Sequence, residues 1–361
     1  MDTKQINDRT EPAYLQLYRR LRDDVIGGVY PFGSRLPSKR VLAAESALSL
    51  VTVEHALALL CDEGYVTARP RSGYFAQFRP GDVFAAAPQY AAPQSFPVHE
   101  RQDASAFPVS VLTKTMRRVM SDLGDGILAR SPGAGLPELR QAICRYLARS
   151  RGIHVQPAQI VVGSGAEFLY GRIVELLGRA HVWALESPSY KQIRRVYEAC
   201  DVQVEMLPLG RDGVDSRALA SSRADVLHVT PYRSYPSGVT ASASKRHEYL
   251  QWAREGRYLI EDDFESEFSV SRKSEETLFA HAVRDNVLYL NTFSKTVSSS
   301  IRVGYMALPQ SLVPQYEERL GFYACTVPTF MQYVLAQLLD NGDFERHINR
   351  VRRQKRREAE N

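Results

Sequence analysis

Cysteine is scarce: the 361-residue chain has four. Cys61, Cys144, Cys200 and Cys325 stand far apart with no C-x-x-C pair. The sequence therefore offers neither the ligand spacing of a zinc site nor the framework of a disulfide-stapled domain. No apolar run approaches the ~18 residues of a membrane span, and the polar stretch Met1–Arg9 lacks the apolar core of a signal peptide. No internal repeat is present. Charge of one sign is in small excess only: Lys plus Arg total 46 and Asp plus Glu 41, a net +5. That is too little to diagnose a nucleic-acid binder, although a localised patch would suffice. What is there is an ordinary globular composition, 44% hydrophobic and 24% charged, which excludes wholesale disorder. The length suits two or three domains at ~100–200 residues each. The expectation is a soluble, reduced, cytoplasmic protein with no membrane segment and no metal.

Composition shifts along residues 79–106, where Pro80, Pro88, Pro93 and Pro97 lie among alanines and polar residues with no helical or strand period. This predicts a semi-rigid linker between a small unit, 1–78, and a long one, 107–361. In the small unit, Tyr14, Leu17, Tyr18, Leu21 and Val25 share one helical face, and Gly27-Gly28 stops that helix. Ser38 suits the N-cap of a second helix, from Lys39 to about Glu45, and Ser49 that of a third ending at Glu63-Gly64. Tyr65–Ala68 and Gly73–Ala76 then read as two strands joined by Arg69-Pro70-Arg71-Ser72. Three short helices and a basic-tipped hairpin make a winged helix-turn-helix layout.

If Val53, Ala56, Leu57 and Leu60 form the buried stripe of the third helix, then Val51, Glu54, His55 and Ala58 face outward. Thr52 and His55 would then approach the major groove, Arg35, Lys39 and Arg40 would lie near phosphates, and Arg69 and Arg71 would reach from the wing toward the minor groove. Ordinary surface arginines on a small bundle are the plain alternative. The run Gly33–Ala43, Thr52-Val53, Glu63-Gly64-Tyr65 and Arg71–Phe75 resembles the GntR-type winged-helix DNA-binding domain across residues 10–77. That resemblance implies double-stranded promoter DNA as partner, with Ser38 and Gly73 joining Arg35, Arg40, Thr52, His55, Arg69 and Arg71 as contact positions. Leu50 stands where such domains usually carry arginine.

In the long unit, short apolar runs alternate with helical patterns: Ile160–Val162, Val182–Leu185, Val202–Leu207, Val226–Thr230, Tyr258–Asp262, Val287–Asn291 and Val303–Ala307. This predicts an α/β unit with a mainly parallel sheet, which binds ligands at the carboxyl ends of its strands. After the first strand comes Gly163-Ser164-Gly165-Ala166, a turn suited either to an anion or to plain strand-to-helix packing. After the sixth come Thr292-Phe293-Ser294-Lys295 and then Arg302, a lysine with hydroxyls and an arginine about it. After Ile260 come Glu261, Asp262 and Asp263, whose plain reading is a structural ion pair. A buried carboxylate there would also suit a pyridinium nitrogen.

Together these features resemble the fold-type I aminotransferases. The whole chain, from about residue 10 to 361, resembles the MocR subgroup of GntR regulators, which fuse a winged helix to an aminotransferase-like domain. The resemblance implies pyridoxal 5′-phosphate as cofactor and Lys295 as its covalent anchor. Asp262 matches the pyridine partner, although the Asp262-Asp263 doublet leaves one residue of ambiguity. Gly165, Ala166, Ser294 and Arg302 match phosphate-binding positions, Tyr190 matches the ring-stacking aromatic, and Tyr235 lies in the segment beside the phenolic oxygen. It further implies a homodimer and an amino-acid-type effector. Phe264, Arg233 and Glu167 depart from the family pattern of tyrosine, histidine and amide. The chain also ends at Asn361, before the small C-terminal domain and its substrate-clamping arginine, so weak or absent transamination is expected. Three readings follow: a regulator that senses through the cofactor, a working transaminase with an appended DNA-binding module, and a regulator whose domain binds no cofactor. The basic run from Arg346 to Arg357 reads as a solvated helix face.

Overall fold

The computed structural model describes residues 12–79, 106–254, 256–263, 266–269 and 276–360. The expected linker, but for its end residues, and Phe264 lie outside them. The chain divides into two compact units, Met1–Pro97 and Val98–Asn361.

The first unit contains α1 (Ala13–Ile26), α2 (Lys39–Ser46), α3 (Leu50–Asp62), β1 (Val66–Arg69) and β2 (Gly73–Ala76). Leu17, Tyr18, Leu21 and Val25 of α1 meet Leu42 of α2 and Val53, Ala56, Leu57 and Leu60 of α3 in one core. The helix starts follow from their caps. Ser38 Oγ accepts the Val41 N–H at 3.3 Å and Ser49 Oγ accepts that of Thr52 at 3.1 Å, satisfying donors the first helical turn leaves open. The hairpin is antiparallel, with Arg69 opposite Gly73. It gains a third short edge: Gly33 N–H and Leu36 N–H donate to Ala76 O (2.8 Å) and Tyr74 O (2.9 Å), and Ala76 N–H donates to Ser34 O (2.9 Å). The segment before α2 is thus stitched to the wing.

The second unit is built on a seven-stranded sheet: β3 (Ile160–Gly163), β4 (Val182–Ser187), β5 (Gln203–Pro208), β6 (Val226–Val229), β7 (Tyr258–Asp262), β8 (Val287–Thr292) and β9 (Gly304–Ala307). Their order across the sheet is β3-β9-β8-β7-β6-β4-β5. Only β9 runs against its neighbours; the pairs from β8 to β5 are parallel. Strands β3, β6 and β9 are buried throughout, because helices cover both faces; that is why they read as apolar runs rather than alternating ones.

On one face, α6 (Ala166–Leu177), α7 (Lys191–Ala199) and α11 (Val313–Leu320) supply Leu169, Ile173, Tyr197 and Tyr316 to a core shared with Ile260, Leu288 and Met306. On the other, α8 (Ser216–Ser221) and α9 (Ala243–Trp252) pack Leu219, Tyr249 and Trp252 on Leu227 and Leu259. The same side, nearer β3, is covered by α4 (Val109–Leu123), α5 (Pro137–Arg151), α12 (Thr329–Asp340) and α13 (Asp343–Glu360). A short helix, α10 (Leu278–His281), precedes β8. Fully buried Gln332 of α12 ties this layer together: its carbonyl accepts the Leu136 N–H at 2.7 Å and its amide donates to Ser131 Oγ at 3.0 Å and Val327 O at 2.8 Å. In α13, Phe344, Ile348 and Val351 are buried, so the basic run is the remaining surface of a structural helix. Among the described residues no single helix is long and apolar enough to cross a membrane.

Candidate functional site

The carboxyl ends of β3, β4, β6, β7 and β8 and the start of β9 lie along one edge of the sheet, which follows from the pairing directions. At β3, Gly165 turns the chain with φ +94°. Gly304 opens β9 without a side chain, and a Cβ there would lie 3.3 Å from Gly165 Cα, so the turn rests directly on β9. Two residues earlier Arg302 takes φ +50°, in the left-handed region that non-glycine residues seldom occupy. Its guanidinium carbon lies 3.6 Å from where a Gly165 Cβ would be. The arginine therefore covers the turn at the head of α6, where free backbone N–H groups and the helix dipole already favour an anion. Glu167, in the first turn of α6, meets Arg302 there: Oε2 accepts from Nη2 at 3.1 Å, with both side chains partly in water.

The doublet at the end of β7 separates by parity. Asp262 shares the face of Ile260 and, across the β6–β7 register, of His228. Its Oδ2 accepts from Tyr170 OH at 2.5 Å and lies 3.4 Å from His228 Nε2. His228 Nδ1 pairs with Tyr197 OH at 2.7 Å, and Nε2 has no other hydrogen-bond partner. A single buried imidazole thus spans a tyrosine and a carboxylate, with the ring of Tyr170 edge to face against it at 5.3 Å. Asp263 points the other way, into the interior. It accepts from Tyr289 OH at 2.5 Å and pairs with Arg151 at 2.5 Å. The sequence ambiguity is a difference of face.

At β8, Thr292 Oγ1 donates to Ser294 Oγ at 3.0 Å and accepts the Ser294 N–H at 3.1 Å, while buried Phe293 anchors the turn beneath. This carries Lys295 to the exposed edge. In sheet order it falls between the Gly165–Arg302 turn and Asp262. Tyr190, following β4, and Tyr235, following β6, are both exposed and meet edge to face, with ring centroids 6.2 Å apart. Between them Ser234 donates to buried Glu186, whose carboxyl burial pushes up to about 7. Arg233 is exposed, with φ +51°, and its N–H donates to Thr240 Oγ1 at 3.1 Å.

The structure therefore groups Gly165, Ala166, Glu167 and Arg302; groups Tyr190 with Tyr235; and sets Asp262 and Lys295 on the same edge. Sequence reasoning missed His228, Tyr170 and Tyr197. The signal available was a histidine inside the apolar strand Val226-Leu227-His228-Val229.

In the first unit, Arg35 lies over Gly73, whose Cβ would be 3.1 Å from its Nε. Arg69 stacks over Phe75 at 4.3 Å, and Arg71, with φ +60°, stands exposed at the wing tip. Arg40 is exposed at the head of α2. Thr52 Oγ1 pairs with Ser49 Oγ at 2.8 Å. His55, expected to face outward, is exposed but stacked on Tyr14 with ring centroids 4.1 Å apart.

Two family models match. Residues 13–75 fit the bacterial regulatory proteins of the gntR family, and residues 101–360 fit aminotransferase class I and II. The chain is 31% identical over 353 residues to the HTH-type transcriptional regulator YdeL of Bacillus subtilis (strain 168), covering 95% of this chain and 76% of that one. The chain belongs to the MocR-type GntR regulators. The probable rhizopine catabolism regulatory protein MocR of Rhizobium meliloti is 25% identical over 371 residues, 96% of this chain and 75% of that one. An archaeal alanine:glyoxylate aminotransferase has the same fold, with a TM-score of 0.62, 22% identity and 68% of this chain covered. This MocR-type chain spans 63% of that enzyme's length.

Behind the edge, three carboxylates of this regulator are buried close together. Glu261 and Glu267 are buried near Asp263, which pairs with the guanidinium of Arg151. Burial, with Asp263 next, pushes both glutamates up to about 7. The folded state thus holds protons that the unfolded chain has already released, and the stability they confer is lost as pH rises from about 4.5 through 7. Glu267→Gln is expected to raise the unfolding temperature at about pH 8 and to flatten its fall between about pH 5.5 and 8. Thermal unfolding across that range checks it, and a parent-like slope would count against the assignment.

Proposed function

We infer that this regulator reads double-stranded promoter DNA with its winged helix, which places its work in the cytoplasm. We also infer that it holds pyridoxal 5′-phosphate in its α/β unit, where an amino-acid-type effector is sensed. The observation that carries the cofactor reading is the order along the sheet edge: the cationic Gly165–Arg302 turn, then Lys295, then Asp262. The residues fit the group at both ends. The turn offers Arg302, Ser294 and the N–H groups at the head of α6, including that of Ala166, to a phosphate. Asp262, oriented by His228 and Tyr170, offers a carboxylate to a protonated ring nitrogen. Tyr190 supplies a stacking face, with Tyr235 against its edge, and Lys295 supplies the amine for a covalent anchor. Bound there, pyridoxal phosphate supplies an electron-withdrawing ring that stabilises negative charge on an attached amino-acid carbon. Asp262 sustains that capacity by keeping the ring nitrogen protonated. As a homodimer, the regulator would present two winged helices to two half-sites.

Titration with pyridoxal phosphate is expected to give a visible band, distinct from that of free cofactor, that borohydride bleaches. Lys295→Ala is expected to lose the band while keeping its circular dichroism, and a band unchanged in that variant would sink the assignment.

Glu167 places a carboxylate on the arginine a phosphate would use. Glu167→Gln is expected to tighten half-saturation by roughly two- to fivefold, the worth of about one exposed ion pair, with less gain at high salt. Equal affinity would show that Glu167 does not oppose the phosphate.

On the DNA side, Arg35 and Arg40 are assigned to phosphates, Thr52 and His55 to the groove, and Arg69 and Arg71 to the wing contact, with Ser38 and Gly73 bringing backbone close. Arg40→Ala is expected to weaken all duplexes alike and to shrink the log–log salt slope by about one unit. Binding titrations at several salt concentrations measure this, and a loss confined to one base sequence would contradict the assignment.

A further inference from the structure

Helix α3 has the sequence Leu-Val-Thr-Val-Glu-His-Ala-Leu-Ala-Leu-Leu-Cys-Asp, with no lysine or arginine. Two of its outward polar side chains are engaged within the protein. Glu54 accepts from Lys39 Nζ at 2.8 Å, and His55 lies flat on Tyr14, 14° from parallel. What the first turn presents outward is apolar: Val51 is 75% exposed and Leu50 48%. The cations of this unit stand on other elements: Arg35 before α2, Arg40 in its first turn, and Arg69 and Arg71 on the hairpin, with Arg35, Arg40 and Arg71 exposed.

In a helix-turn-helix, the N-terminal residues of the second helix of the pair are the ones that reach base edges. A branched apolar side chain has one base-specific partner in the major groove, the C5-methyl group of thymine. Contact with it removes apolar surface of both partners from water. The Lys39–Glu54 pair offsets the carboxylate of Glu54, one turn along α3 from Leu50 and Val51, and so weakens its repulsion of phosphates as the turn enters. We propose that Leu50 and Val51 are the specificity-determining residues of this regulator and read the C5-methyl groups of thymines in the operator. Where arginine would select guanine by hydrogen bonds, this helix selects pyrimidine methyls by contact. The inference rests on the DNA-binding reading and deepens it.

The test uses the full chain and duplexes that it enriches from a random pool. Each thymine of an enriched duplex is replaced in turn by deoxyuridine, which removes the methyl and keeps every hydrogen-bonding group. The parent is expected to bind about fourfold more weakly for each methyl lost under α3, the transfer value of one buried carbon, at one or two positions per half-site. Leu50→Ala and Val51→Ala are each expected to lose that discrimination at their own position while keeping the salt slope. Leu50→Arg, at an exposed site where folding is not at stake, is expected to shift preference toward guanine. A parent that binds its enriched duplex yet ignores every thymine-to-uridine change overturns the inference and leaves the DNA-binding reading standing. So does discrimination that persists in both alanine variants. Variants that change oligomeric state with base preference intact overturn it in favour of a contact between copies. A parent that enriches no duplex overturns the DNA-binding reading, and the inference with it.

Discussion

Adjacent residues of a strand point to opposite sides of a sheet, and at the end of β7 that rule sends Asp262 and Asp263 apart. Asp263 enters a buried cluster with Glu261 and Glu267 and pairs there with Arg151. Arg151 is the last residue of α5, and Arg352 of α13 donates to the main-chain oxygen of Glu267 at 2.5 Å. The strand end is thus held by α5, and the turn that carries Glu267 is held by α13. Breaking a buried pair of this kind costs ~3–5 kcal/mol, whereas replacing both partners by apolar groups often costs little. The pair's contribution here is therefore position more than net stability. With Asp263 fixed on one face, Asp262 is fixed on the other, against His228 and Tyr170.

The second electrostatic feature of the edge is smaller and of a different kind. Arg302 and Glu167 are both partly in water, and an exposed pair is worth ~0.2–1 kcal/mol. Such a pair does not lock the turn. Under the proposed cofactor reading it would lower the affinity of an incoming anion by a few-fold and leave the backbone N–H groups of α6 to act as before. An interior arranged for fixed geometry thus sits beneath a rim whose charge balance is easily shifted, which is an arrangement suited to reversible occupancy.

Much of this was legible in the sequence, for stated physical reasons. Strands covered on both faces leave apolar runs, so β3, β4, β6, β7 and β8 could be placed within a residue or two. Ser38 and Ser49 announced two helices because caps are local chemistry. The third edge of the wing at Gly33–Leu36 left no such trace, since its bonds are main-chain bonds to Tyr74 and Ala76, about forty residues away. The Asp262-Asp263 doublet stayed ambiguous because both residues are polar, and parity can be assigned only once the register with β6 is known. Arg151 looked like an ordinary basic helix end; its partner is 112 positions further along the chain. The outward position of His55 was correct, but its stacking on Tyr14 depends on how α1 crosses α3.

The winged helix and the sheet edge distribute charge differently. At the sheet edge, charged and polar groups follow β3, β8 and β7, and the aromatic rings of Tyr190 and Tyr235 stand together to one side, after β4 and β6. On α3 the outward first turn is apolar and the cations are carried by other elements, α2, the segment before it and the hairpin. Coulomb attraction to phosphates persists over about a Debye length, ~8 Å at physiological salt. A methyl contact is lost within about 1 Å of separation. Under the proposed division of labour, affinity comes from the cations and base preference from the apolar turn, so the two have different ranges. A tilt of α3 too small to release the phosphates would then already remove base preference. In such a design, selectivity for the operator is the quantity most sensitive to small changes in how the winged helix is presented.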